Sequence, residues 1–187
     1  MQIVIDDKLR GSIIEKAVSA LKKGGIVVYP SDTVYGIAVD ATNLQAKAKL
    51  DQLKGRRFDQ KYSYNFSSVE MIRKYHDLSA DQEKILQKYL PGPYTFILSS
   101  DFSVRIPQNC IITEIVQAYG KPVTATSANR TGGKPAGSTK SLNAKIYLAA
   151  DLIIEDPEFE PHKPSTLVDI TQKPYRVIRE GELSFKD

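Results

Sequence analysis

Residues 24–39 read GGIVVYPSDTVYGIAV, and this stretch indicates the fold class. The apolar, β-branched run at 26–30 predicts a buried strand, and the two glycines before it predict the end of a helix. Ser12 and Glu15 have the spacing of a capping box, so we predict that this helix covers residues 12–24. A helix that leads directly into an apolar strand is typical of an α/β protein.

The rest of the chain continues this alternation. Apolar residues at helical spacing predict a helix that ends at Gly55, and Ser67 and Ser79 each start a capping-box pattern that predicts a further helix. Short runs of β-branched and aromatic residues predict strands at 94–100, 104–107, 123–128, 151–156, 165–170 and 175–180. The last strands follow one another without a crossover helix, which predicts a mixed sheet. We therefore expect an α/β fold in which residues 1–187 form a single domain.

Composition restricts the class of protein. A chain of 187 residues with 41% hydrophobic content is long enough for one sizeable core. The net charge of +4 permits weak attraction to polyanions such as RNA. Cys110 is the single cysteine and the chain starts without an apolar signal segment, so we expect a cytoplasmic protein without an internal disulfide. No apolar run approaches the roughly 20 residues that a membrane span needs, so no membrane association is expected.

The standard nucleotide and metal motifs are missing. The segments 120–122 and 133–135 both read Gly-Lys-Pro, without the Ser or Thr that follows lysine in a P-loop, and no GxGxxG follows a strand. His76 and His162 stand in polar surroundings and are predicted at the surface, which argues against a zinc site or a histidine-based triad. No metal-ligating residues are predicted, and any phosphate site must be built in another way.

Four polar clusters lie where apolar strands or a helix end, and open α/β sheets bind their ligands at such places. The clusters are 31–36, 54–57, 124–129, and 165–169 together with 179–182. Each also has an ordinary structural explanation, as a turn or as a cationic helix cap. Lys54 and Arg56 flank a glycine, so both side chains could converge on one polyanion, for which arginine offers a planar fork. The residues alone leave both interpretations open.

In their order along the chain, these clusters resemble the YrdC/Sua5 family of threonylcarbamoyl-adenylate synthases. The resemblance covers nearly the whole chain and rests on GGIVVYPSDTVYGIAVDA at 24–41, KGR at 54–56, LPGPYTFIL at 90–98, VRIP at 104–107, TSAN at 126–129, STLVDI at 165–170 and VIREGE at 177–182. It implies a twisted mixed sheet with helices around a large concave cavity. The chain stops soon after Arg179, so it is similar to the short YrdC type.

The resemblance also implies roles for individual residues. Lys54 and Arg56 would be catalytic. ATP would bind near Lys54, Arg56, Ser127, Asn129 and Arg179, and threonine near Thr33, Asn65, Arg105 and Ser165. The chain departs from the family pattern after KGR, because Arg57 replaces a proline, Lys61-Tyr62 replaces Pro-Leu, and Asn65 falls where the family has a histidine. Asparagine can donate a hydrogen bond there but does not titrate near neutrality.

The implied reaction converts L-threonine and bicarbonate into N-carboxy-threonine, whose carbamate oxygen attacks the α-phosphate of ATP and expels pyrophosphate. Such a reaction needs no enzyme nucleophile, because positioning and electrostatic stabilisation suffice. Mg²⁺ would accompany ATP, held by phosphate oxygens and water. The adenylate would pass to downstream tRNA-modifying proteins, which use it to make N6-threonylcarbamoyladenosine.

Two other functions remain open from the sequence. The basic balance and ten tyrosines are compatible with an RNA-binding module, although no aromatic-glycine RNA motif is present. A relative with the same fold could also act on another substrate, and Asn65 is the residue that keeps this alternative open.

Overall fold

The computed structural model of the protein describes residues 1–56 and 61–186. In these residues ten strands form one sheet with six α-helices packed around it. The strands are β1 Gln2–Val4, β2 Val27–Pro30, β3 Tyr35–Ala38, β4 Ser63–Asn65, β5 Tyr94–Ser99, β6 Phe102–Arg105, β7 Val123–Ser127, β8 Leu152–Glu155, β9 Thr166–Asp169 and β10 Arg176–Arg179. The helices are α1 Arg10–Lys22, α2 Leu44–Lys54, α3 Val69–Arg73, α4 Ala80–Tyr89, α5 Ile111–Tyr119 and α6 Ala144–Ala149. None of these helices is both long and apolar enough to cross a bilayer.

The sheet is mixed, as the sequence predicted. Its strand order is β1-β8-β2-β3-β7-β4-β6-β5-β9-β10. β8 runs parallel to β1 and β2, and β5 runs parallel to β9, whereas β3 is antiparallel to both of its neighbours, β2 and β7. The α/β fold class is confirmed.

Strand β2 explains why the run at 26–30 is continuously apolar. All four of its residues are buried, and successive side chains point to opposite faces of the sheet. Val27 and Tyr29 enter one apolar cluster with α1 and α5, while Val28 enters a second cluster with α2 and α6. A strand covered on both faces has no position for a solvated side chain, so its polar neighbours lie beyond its end.

The first helix begins earlier than its capping box predicted. A 3-10 turn at Asp7–Leu9 precedes it, and the Asp6 carboxylate caps that turn by accepting a hydrogen bond from the Lys8 amide at 2.8 Å. The chain is therefore already helical when it reaches Ser12. The prediction that Ser12 caps this helix is wrong, because α1 starts at Arg10 directly after the 3-10 turn, with Leu9 as its N-cap and no side-chain cap.

The predicted cap of α3 is displaced by one residue. Ser68, not Ser67, accepts a hydrogen bond from the Met71 amide, at 3.1 Å. The predicted capping box at Ser79 is confirmed, with both of its reciprocal bonds to Gln82 present. Adjacent serines are equivalent in a sequence pattern, and only the extended backbone of Ser68 selects it as the cap.

We predict that Ser68→Ala lowers the free energy of unfolding by about 1 kcal/mol, because it removes the cap of α3. Ser67→Ala is the matched control and should cost a few tenths of a kcal/mol at most, since the Ser67 hydroxyl donates only to the Met71 sulfur, a weak acceptor. Urea denaturation measures both values. Equal losses in the two variants would contradict the assigned cap.

Candidate functional site

A cavity of about 280 Å³ lies where β2 ends and the neighbouring strands converge. Hydroxyl groups and two guanidinium groups dominate its polar lining. Five of the predicted site residues line it, namely Thr33, Arg105, Ser127, Ser165 and Arg179. They come from five separate segments of the chain, and the sheet brings them to one place.

A larger groove, of about 720 Å³, lies beside the start of β2. Lys16, Lys23 and Lys49 contribute its cations, and Asp151 contributes a carboxylate. None of the predicted site residues lines this groove, so its size does not make it the functional site.

The turn after β2 holds Thr33 in a fixed position. The Ser31 hydroxyl donates to the Val34 carbonyl at 2.6 Å and accepts from the Thr33 amide at 3.1 Å. Because its single hydrogen is used in this way, the Thr33 hydroxyl is the donor in the 3.0 Å contact between the two hydroxyls. The oxygen of Thr33 remains able to accept a hydrogen bond from a ligand.

Arg105 reaches the cavity from the end of β6, held by an ion pair with Asp32. Both side chains are largely buried, at 11% and 10% exposure. Within the described residues, the Arg105 Nε and the Asp32 Oδ2 have no hydrogen-bond partner. Buried polar groups are normally satisfied, so the free Arg105 Nε marks a donor on the one member of the pair that lines the cavity.

Asn65 lies behind the cavity wall and does not line the cavity. Its side chain is fully buried, and its Nδ2 donates to the Tyr29 hydroxyl at 2.7 Å. Within the described residues its Oδ1 has no partner. Burial also raises the pKa of Tyr29, so the phenol stays protonated. Asn65 thus connects to the cavity through Tyr29, which does line it.

Tyr29 is a site residue that sequence reasoning missed, because it lies inside an apolar strand. Gly36, opposite it on β3, makes room for the ring: a Cβ at Gly36 would lie 2.5 Å from the Tyr29 Cζ. The signal that could have found this contact is the glycine itself, since a glycine inside a strand indicates a close approach.

Ser165 and Arg179 form another part of the cavity wall. The Arg179 guanidinium donates to the Ser165 carbonyl at 2.8 Å and to the Ser165 hydroxyl at 3.2 Å. Thr95 contacts the same hydroxyl at 2.8 Å. Burial lowers the pKa of Arg179, and the nearby positive charge of Arg105 lowers it further. An anion between the two arginines would relieve this repulsion.

Lys54 joins the end of α2 to the segment that follows β7. Its side chain is only 4% exposed, and its Nζ donates to the carbonyls of Ser127 at 2.6 Å and Asn129 at 2.7 Å. The Ser127 hydroxyl donates in turn to the Asn129 Oδ1. Burial, with a smaller effect from Arg56, lowers the pKa of Lys54 to about 8. Lys54 and Asn129 thus contact Ser127 without lining the cavity themselves.

Arg56 follows the left-handed Gly55 that ends α2. Its guanidinium stacks on the Tyr62 ring, 3.9 Å from the ring centroid, and donates to the Lys61 carbonyl at 3.1 Å. Its Nε and Nη1 have no partner within the described residues. Arg57, which falls where the family pattern has a proline, lies outside the described residues.

Electrostatic stabilisation is the chemistry that this arrangement can provide. The described lining contains two arginines and several hydroxyls but no carboxylate. Cys110 is buried, donates to the Pro30 carbonyl, and has its pKa raised to about 12 by burial, so it is not a nucleophile at neutral pH. Within residues 1–56 and 61–186 no group of three or more His, Cys, Asp or Glu could hold a metal ion.

Comparisons with known proteins agree with this fold. The family model Sua5/YciO/YrdC, described as "Telomere recombination", matches residues 19–181. A threonylcarbamoyl-AMP synthase from Vibrio campbellii is 30% identical over 183 residues, which cover 89% of this chain and 98% of that relative.

Two solved structures have the same fold. P. abyssi Sua5, complexed with L-threonine, matches 98% of this chain with a TM-score of 0.85 and 24% identity. This chain spans 57% of the Sua5 chain. E. coli YciO matches 97% of this chain and 95% of its own, with a TM-score of 0.83 and 23% identity. At these identities the likeness shows the fold alone.

The burial of Lys54 predicts a pH-dependent stability. Between about pH 8 and 10.5 the unfolded chain keeps a proton on Lys54 that the folded protein has released, so the contribution of Lys54 to the free energy of unfolding rises with pH. We predict that the wild-type free energy of unfolding, minus that of Lys54→Met, increases across this range. Urea denaturation at several pH values measures it, and the subtraction cancels the other titrating groups. A constant difference would contradict the lowered pKa.

Proposed function

The chain belongs to the Sua5/YciO/YrdC family, and we propose that it is a threonylcarbamoyl-AMP synthase. Its substrates would be L-threonine, bicarbonate and ATP, and its products threonylcarbamoyl-AMP and pyrophosphate. The observation that carries the proposal is the convergence of Thr33, Arg105, Ser127, Ser165 and Arg179 on one cavity. These residues were assigned from widely separated family motifs, and their meeting at one place is what a shared site requires.

The proposed reaction begins when the amine of threonine combines with bicarbonate, forming a carbamate and releasing water. A carbamate oxygen then attacks the α-phosphorus of ATP, and the bond between the α-phosphorus and the bridging oxygen breaks to release pyrophosphate. Both reactants are anionic, so the protein must bring like charges together. Fixed cations and hydrogen-bond donors serve this purpose without a covalent intermediate.

The amino-acid half of the site would be built around Thr33, Arg105 and Ser165. Thr33 offers a hydroxyl oxygen, and Arg105 offers a guanidinium whose Nε has no partner within the described residues. A zwitterionic amino acid with a hydroxyl side chain carries the matching groups. The volume of about 280 Å³ lies just below the range of roughly 300–1,000 Å³ typical of ligand pockets. It suits an amino acid and the reacting phosphate, with the rest of ATP outside the enclosed part.

The nucleotide half would be built around Lys54, Arg56, Ser127, Asn129 and Arg179. Ser127 lines the cavity, while Lys54 holds the Ser127 and Asn129 carbonyls in place. Within the part of the chain that the structure describes, the Arg56 Nε and Nη1 have no partner, and a guanidinium can bind phosphate oxygens. Mg²⁺ would bind to the phosphates and water, because no carboxylate occurs in the described lining.

The names of the relatives favour a synthase over an RNA-binding module. A relative acting on another substrate is a second candidate, supported by one observation: Asn65 is fully buried against Tyr29 and not in the cavity lining. RNA binding, downstream tRNA-modifying partners, a cytoplasmic location and the single domain at 1–187 stay predictions.

Pyrophosphate release tests the proposed function. We predict that the wild-type protein releases pyrophosphate only when ATP, bicarbonate and an amino acid are all present, and fastest with threonine. Arg56→Ala should reduce turnover at limiting ATP by about ten- to a hundred-fold, the cost of one charge-assisted contact.

The matched control is Arg73→Ala, which removes the ion pair between Arg73 on α3 and Glu83 on α4 and should leave turnover unchanged. Faster pyrophosphate release with another amino acid would show that this amino acid, and not threonine, is the substrate. Unchanged turnover in Arg56→Ala would contradict the role of Arg56.

A double-mutant cycle tests how Asn65 acts. Because Asn65 connects to the cavity through the Tyr29 hydroxyl, Asn65→Ala and Tyr29→Phe should each raise the KM for threonine by about three- to ten-fold, the effect of one neutral hydrogen bond. The double variant should be no worse than either single variant. The KM for ATP is the internal control and should not change. A larger effect of Asn65→Ala alone would show that Asn65 contacts the amino acid directly.

A further inference from the structure

The loop after β7 is fixed onto the end of α2 by three hydrogen bonds. The Thr131 amide donates to the Lys54 carbonyl at 2.9 Å. In the opposite direction, the Lys54 Nζ donates to the Ser127 and Asn129 carbonyls. Arg130 lies between these anchored residues, and its own carbonyl accepts bonds from the Asn129 Nδ2 and the Gly133 amide, both at 2.8 Å. The backbone of Arg130 is thereby held in a defined place beside the KGR motif.

The side chain of Arg130 lies directly over Gly55. A Cβ at Gly55 would lie 2.8 Å from the Arg130 Nη2, a distance that real Cβ contacts do not reach. Gly55 also has a φ of +61°, in the left-handed region. The central glycine of KGR therefore serves two purposes: it ends α2, and it leaves room for the guanidinium of Arg130.

Arg130 adds a third cation to this corner of the molecule. Lys54 and Arg56 provide the other two, from the two sides of Gly55. In residues 1–56 and 61–186, no carboxylate forms an ion pair with Arg130 or Arg56, whereas Arg10 and Arg105 each have an acidic partner. Cations placed together without counter-charges repel one another, and a bound polyanion would turn this repulsion into attraction.

We propose that Arg130 is a nucleotide-binding residue that contacts the β- and γ-phosphates of ATP and the pyrophosphate they become. The inference rests on the proposed function, because it extends the same site. The reacting α-phosphate must meet the carbamate inside the cavity, whose lining includes Ser127 but not Arg130. Arg130 is exposed, lies three residues beyond Ser127 and has its guanidinium beside Gly55 of the KGR motif, so it is suited to the phosphates that remain outside the cavity. Its planar guanidinium can bind two phosphate oxygens at once.

Binding of inorganic pyrophosphate and steady-state kinetics test this inference together. Arg130→Ala should weaken pyrophosphate binding, measured by isothermal titration calorimetry, by about ten- to a hundred-fold. It should reduce kcat/KM for ATP by a similar factor and leave the KM for threonine unchanged. Arg130→Lys keeps the charge but loses the fork, so it should recover only part of the affinity. Lys134→Ala removes an exposed cation from the same loop and is the matched control.

The outcomes separate this inference from the proposed function. If the wild type makes threonylcarbamoyl-AMP and Arg130→Ala behaves like Lys134→Ala, Arg130 does not bind phosphate although the function stands. If threonine is not the substrate but Arg130→Ala alone loses pyrophosphate affinity, the phosphate site stands although the function does not. Wild-type protein that does not bind pyrophosphate at millimolar concentrations would overturn the inference. Arg130 is exposed and the bonds that hold its loop do not involve its side chain, so a thermal denaturation curve should show that each variant folds.

Discussion

The burial of β2 on both faces is the constraint from which the site follows. Val27 and Val28 pack into different apolar clusters on the two sides of the sheet, so the strand has no place for a solvated side chain. Polar residues begin only after Pro30, where Ser31 organises a tight turn that fixes Thr33. The same geometry that excludes water from the strand therefore concentrates hydrogen-bonding groups at its end.

The segment that carries Ser127 depends on a buried ammonium group. A charge taken out of water is costly unless hydrogen bonds compensate it, and Lys54 makes two, to the Ser127 and Asn129 carbonyls. Burial still lowers its pKa to about 8. The buried lysine has a structural role, because its side chain positions the segment that carries Ser127 against the end of α2. The KGR and TSAN motifs are thereby one unit in three dimensions.

The distribution of charge suits catalysis by positioning. Under the proposed function, two anions must approach each other, and the described part of the cavity presents Arg105 and Arg179 without an acidic lining residue. Their mutual repulsion is one reason that the pKa of Arg179 is lowered, after burial. A site of this kind is electrostatically complementary to its ligands before they bind, which reduces the reorganisation required during the reaction. The protonated, buried Cys110 is consistent with a reaction that needs no enzyme nucleophile.

Local chemistry determined much of the fold from the sequence. Strand β2, the end of α2 at Gly55 and the capping box of α4 depend on neighbouring residues, so their patterns predicted them. Strand β4 has three residues, too few for a periodic signal, and only its pairing with β6 and β7 makes it a strand. The hydrogen bond from Asn65 to Tyr29 joins residues 36 positions apart. Such contacts arise from the packing of the whole sheet, so tertiary structure alone decided which polar side chains face the cavity and which lie behind it.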